Sequence, residues 1–92
     1  MRFTVVWQRE AERRLAKIWA DARDRQAVTD AADAIDALLR TAPLEVGESR
    51  VANVRVLVVL PLAVYYDVRP DDRLVSVWAV WPVRGRDEGK GR

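Results

Sequence analysis

Hydrophobic and polar positions change period twice along this chain, and the changes mark out its elements. Arg2 to Trp7 alternates, with Phe3, Val5 and Trp7 on one side and Arg2, Thr4 and Val6 on the other. That period of two predicts a strand. From Gln8 the period lengthens: Ala11, Leu15, Ile18, Trp19 and Ala22 recur at helical spacing, while Arg9, Glu10, Glu12, Arg13, Arg14 and Lys17 occupy the remaining surface. Asp21 to Asp24 interrupts the pattern, and the Asp24 carboxylate can cap a new first turn by accepting from its free amides. Val28, Ala31, Ala32, Ile35, Leu38, Leu39 and Ala42 form a second stripe, which Pro43 ends. Helices joined by so short a connection pack as an antiparallel hairpin, and the alanine-rich stripe permits close approach.

Pro43 to Arg50, containing Gly47, reads as a loop. The period of two then returns in three apolar runs, Asn53 to Val59, Leu62 to Val68 and Arg73 to Val80. Pro61 cannot donate to a ladder and marks a strand end. Pro70-Asp71-Asp72 supplies turn chemistry between the last two runs. Alternation assigns two faces. The set without charges, Val54, Val56, Val58, Leu62, Val64, Tyr66, Val68, Val75, Val77, Ala79 and Trp81, is expected beneath the helices. The opposite face is expected to carry Arg55, Leu57, Val59, Ala63, Tyr65, Asp67, Arg69, Trp78, Val80 and Arg84. So apolar an uncovered face predicts a partner. The expected fold is α+β, a strand, two helices and a three-strand meander, with the helical hairpin packed on one face of an antiparallel sheet.

At 92 residues the chain has room for one core. It contains no cysteine, which excludes disulfides and thiolate metal sites, and no histidine. The second absence narrows the chemistry, because the usual acid–base group near neutral pH is missing. The N-terminal stretch lacks the apolar region of a signal peptide, and no run reaches the roughly 18 residues of a membrane helix. A cytoplasmic protein is expected, with no membrane partner, no cofactor and no metal. The net charge of +2 is too small to imply nucleic acid. Its cations crowd the end of the chain, at Arg84, Arg86, Lys90 and Arg92, so residues 1–84 are expected to form the domain and 85–92 a basic, flexible tail.

The order of elements resembles the RelE/ParE toxins of type II toxin–antitoxin modules. The residues that carry the resemblance are Ala11, Leu15 and Ile18-Trp19 in the first helix, then Ala34-Ile35, Leu38, Pro43 and Gly47 before the sheet. Within the meander they are Pro61-Leu62-Ala63-Val64-Tyr65-Tyr66-Asp67-Val68, Asp71-Asp72-Arg73 and Val77. The resemblance implies a toxin neutralised by an antitoxin that wraps it, with possible hetero-oligomers of the two. It also implies one of two targets: DNA gyrase, inhibited by binding, or mRNA on the ribosome, cleaved enzymatically. A toxin-fold protein that retains only antitoxin binding is a third reading.

The cleaving members place an arginine three residues before the tyrosine matching Tyr66, where this chain has Ala63, and a basic or His-Tyr pair where it has Pro82-Val83. Cleavage by 2′-OH attack needs a proton acceptor, a proton donor and cations. Arginine is a poor acceptor. Arg55, Tyr65 and Arg84 are the catalytic candidates, and binding to gyrase is the expected mode of action. Arg84 and Arg86 are expected to meet the target, and Leu57, Val59, Tyr65 and Trp78 the antitoxin. Asp67 is either a base or an ion-pair partner of Arg55 or Arg69. Tyr66 and Trp81 are expected in the core, and Trp7 and Trp19 at the strand–helix junction.

Overall fold

The computed structural model describes residues 2–84; the tail expected at 85–92, with Arg86, lies outside the described residues. The strand β1 (Thr4–Trp7) leads into α1 (Arg9–Asp21) and α2 (Arg25–Thr41). Then come β2 (Glu48–Ser49), β3 (Val54–Val59), β4 (Leu62–Arg69) and β5 (Leu74–Pro82). The sheet order is β1-β5-β4-β3-β2, with β1 parallel to β5 and the other neighbours antiparallel. Both helices cover one face: α1 lies along β5, and α2 crosses β1, β3 and β4.

The helices form where the apolar spacing placed them. Asp24 caps α2 by accepting from the Ala27 amide at 3.0 Å. Val28, Ala31, Ile35 and Leu39 are its buried stripe, and Ala11 is the buried residue of α1. They meet Leu62, Val64, Tyr66, Val68, Val75 and Val77 from the sheet in one core, flanked by Phe3, Val5 and Trp7.

Trp19 departs from its expected place. It is 44% exposed at the far end of the hairpin, where its indole N–H donates to Thr29 Oγ1 at 3.2 Å. The Arg25 guanidinium lies 4.8 Å from its ring centroid and donates to the carbonyls of Trp19, which also accepts the Ala22 N–H, and Ala20 at 3.2 and 2.9 Å, at the end of α1. Trp19→Ala should therefore cost about 1–2 kcal/mol, a lost cation–π contact and partial burial, and leave a cooperative melt. Loss of the folded state in thermal denaturation would show a deeper role for Trp19.

Two strands also differ from the expected facing. In β3, Arg55 pairs with Tyr66, Leu57 with Val64 and Val59 with Leu62, which puts Arg55, Leu57 and Val59 on the helix side. Val54, Val56 and Val58 turn outward. Val-Arg-Val-Leu-Val-Val is apolar in both phases apart from Arg55, so the charge alone chose the expected phase. In the fold that charge is satisfied at the sheet's edge by loop carbonyls. In β5, Tyr65 pairs with Ala79 but Tyr66 pairs with Val77, so Trp78 is an extra residue, a β-bulge. The bulge reverses the alternation beyond it. Val80 enters the core, while Ala79 and Trp81 face out, opposite to expectation. The residues 48–49, expected within a loop, pair with Val56 and Arg55 as β2; two residues are too few to show a period.

Candidate functional site

No helix among the described residues covers the face of the sheet away from α1 and α2, although Ala63 and Val56 on it are buried. By register it presents Val54, Val56 and Val58 of β3, Ala63, Tyr65, Asp67 and the exposed Arg69 of β4, and Leu74, Ser76, Ala79 and Trp81 of β5, with Trp78 at the bulge. Tyr65 is the centre of an aromatic group. Its ring stacks on Trp78 at 5.2 Å between centroids and 20° between planes, and meets Trp81 at 4.8 Å and 51°. The bulge makes this possible, because residues three apart on a regular strand face opposite sides. Trp78 is 41% exposed and Val58 52% exposed, so the patch is open to a partner.

Of the residues expected at an antitoxin site, Tyr65 and Trp78 are together on this face. Leu57 and Val59 are not: Leu57 is 8% exposed within the core, and Val59 packs against that core. Sequence reasoning missed Trp81 and the outward valines of β3. The only signal for Trp81 was its three-residue spacing from Trp78, too close for one face of an unbroken strand.

The catalytic candidates separate. Arg55 lies behind the sheet, where its Nε donates to the Tyr66 hydroxyl at 3.3 Å and its Nη2 to the carbonyls of Val46 and Gly47 at 3.1 and 3.4 Å. The Tyr66 hydroxyl in turn has the carbonyls of Pro43 and Val46 as acceptors for its one proton, 2.8 and 2.9 Å away. Arg55 thus ties down the loop before β2 and cannot join Tyr65, whose ring is on the other face. Arg84 is exposed just past β5. Asp67 makes neither ion pair expected for it, with Arg55 or with Arg69, and its Oδ1 is buried without a hydrogen-bond partner.

Elsewhere, a groove of about 460 Å³ runs between the helix connection and the sheet's end. Its floor includes Ile18, Val28, Pro61 and Pro82. Arg14 and Lys17 of α1 also line it, and Lys17 is paired with Asp21 at 3.0 Å. Among the described residues no group of three or more Asp or Glu could hold a metal ion, and no helix is long and apolar enough to cross a membrane. The open face can stack rings and exclude water. Its titratable groups are Tyr65 and Asp67, two residues apart on β4.

No family model matches the chain, and no curated protein matches it. Solved structures do. A chain of the RelBE2 toxin–antitoxin complex of Mycobacterium tuberculosis superposes with a TM-score of 0.73 at 19% identity, over 89% of this chain and 92% of that one. A chain of the chromosomal ParDE toxin–antitoxin system of P. aeruginosa gives 0.71 at 21% identity, over 89% and 97%. The isolated RelE toxin of E. coli gives 0.63 at 12% identity, over 92% and 88%. The chain has the RelE/ParE toxin fold, an α+β sheet with a helical hairpin on one face.

Proposed function

We propose that this chain is the toxin of a type II toxin–antitoxin pair, silenced by a cognate antitoxin, and that it acts by binding its target. DNA gyrase is the target that a binding mode implies. The observation that carries this reading is the make-up of the open face. It offers Tyr65, Trp78, Trp81 and the exposed Val58, with Arg69 at its end and Arg55 on the far side of the sheet. An enzyme that cleaves RNA needs cations and a proton-transfer pair on one surface. A binding protein needs apolar anchors in reach of a partner, and these are present. Arg84, exposed beyond β5, and Arg86, two residues further along the chain, are the cations proposed to meet the target.

The antitoxin is proposed to cover Tyr65 and Trp78, two of the four residues expected for it; Leu57 and Val59 drop out because they face the helices. Induced alone, the chain should arrest growth, and co-expression of the small protein encoded beside it should restore growth and co-purify with it. Absence of both effects would sink the toxin reading. Within such a complex, Trp78→Ala should weaken binding by about 2 kcal/mol, the size of an aromatic anchor in an interface. Titration calorimetry reads this directly, and unchanged affinity would move the interface off the open face.

A further inference from the structure

Asp67 adds to the open face something that an apolar patch does not explain. It occupies the same face of β4 as Tyr65, two residues on, a distance of about 7 Å along a strand. Val54 and Ser76 stand opposite it in the flanking strands, yet its Oδ1 is buried and accepts no hydrogen bond. A carboxylate oxygen in that state has lost water and gained nothing; turned outward, the side chain would recover a hydrogen bond from a ligand's donor. The nearby cations do not supply one. Arg55 is on the other face, bonded to the loop carbonyls, and Arg50 is held by Glu48 at 3.2 Å. Arg69, two residues on along β4 and exposed on the same face, forms no ion pair among the described residues. Next to this carboxylate is the Tyr65–Trp78 stack, and the faces of such rings attract cations.

We infer that the open face is a receptor for an arginine side chain presented by the partner protein. The guanidinium lies against the Tyr65–Trp78 pair and donates to Asp67, while the flanking backbone of the partner covers Val58 and Trp81. Arginine fits better than lysine because its planar head can stack and donate in the same pose. The same arrangement disfavours a phosphate, which would meet a carboxylate where it needs a cation. The inference rests on the open face being the antitoxin's docking surface, and it names the chemistry of the segment that docks: a basic residue at the centre of an apolar stretch.

Nuclear magnetic resonance on the folded chain tests this without requiring toxicity. The probes are acetyl-Gly-Arg-Gly-amide, its glutamine counterpart and uridine monophosphate. The arginine peptide should shift the Trp78 indole N–H and the amides of Asp67 and Ser76, saturating at millimolar concentration. The glutamine peptide should leave them in place. Asp67→Asn, nearly isosteric, should weaken the arginine peptide about tenfold, the size of one charged hydrogen bond. Equal shifts from the glutamine peptide, no shift from the arginine peptide, or full affinity in Asp67→Asn would each overturn the inference, as would preferential saturation by uridine monophosphate. The comparison of the two peptides uses the unaltered chain and so holds even if Asp67→Asn fails to fold. Growth arrest without arginine recognition would overturn this inference alone; recognition without growth arrest would overturn the toxin reading alone.

Discussion

Gly47→Ala should destabilise the fold by about 2–5 kcal/mol, from left-handed backbone strain together with overpacking at a site that cannot give. Gly47 has φ +72°, a conformation that costs a residue with a Cβ. A methyl group built there would stand 2.6 Å from the Val56 carbonyl oxygen and 2.8 Å from the Tyr66 hydroxyl. The first neighbour is backbone of a paired strand, and the second is a fully buried side chain held by Pro43, Val46 and Arg55. Neither can move without releasing the loop from the sheet. A stability of this size is a large share of what a small domain holds. Thermal unfolding followed by circular dichroism should show a fall of many degrees, and a melt within a degree or two of the parent would mean that the loop relaxes freely.

That loop also shows where sequence reading stops. Gly47 and Tyr66 were both legible as structural residues, one by its place in a turn segment and the other by its place in an apolar alternation. Their contact was not, because it joins residues far apart in the chain through Arg55, which the alternation had put on the opposite face. Helix positions were legible wherever one face differed sharply from the other, as with Val28, Ala31, Ile35 and Leu39. The strand phase was legible for β1 and β4, where polar and apolar residues alternate. It was not legible for β3, whose sequence is apolar in both phases, nor beyond Trp78, where one extra residue reverses the order. The candidate site suffered most from this. Tyr65 and Trp78 were found, Trp81 was hidden by the bulge, and Leu57 and Val59 were exchanged for the valines beside them.

Ribosome-dependent mRNA cleavage should be absent. Each acid or base in such a site contributes about 10²–10⁴-fold, so the loss of both leaves a negligible rate. Three positions support this expectation. Ala63, where cleaving toxins carry an arginine, is 1% exposed, and Pro82-Val83 offers no titrating group. Arg55 is fixed to the Val46 and Gly47 carbonyls on the far side of the sheet from Tyr65. Arg84 past β5 and Arg69 at the end of β4 supply charge but not proton transfer.

The most direct test follows both activities after induction of the chain in growing cells. Message ends are mapped on translating ribosomes, and plasmid supercoiling is measured in the same culture and with purified gyrase. Growth arrest with altered supercoiling and no new message ends is the expected result. Site-specific cuts in translated mRNA that disappear with Arg84→Ala or Tyr65→Phe, with supercoiling unchanged, would contradict it and make the protein a nuclease.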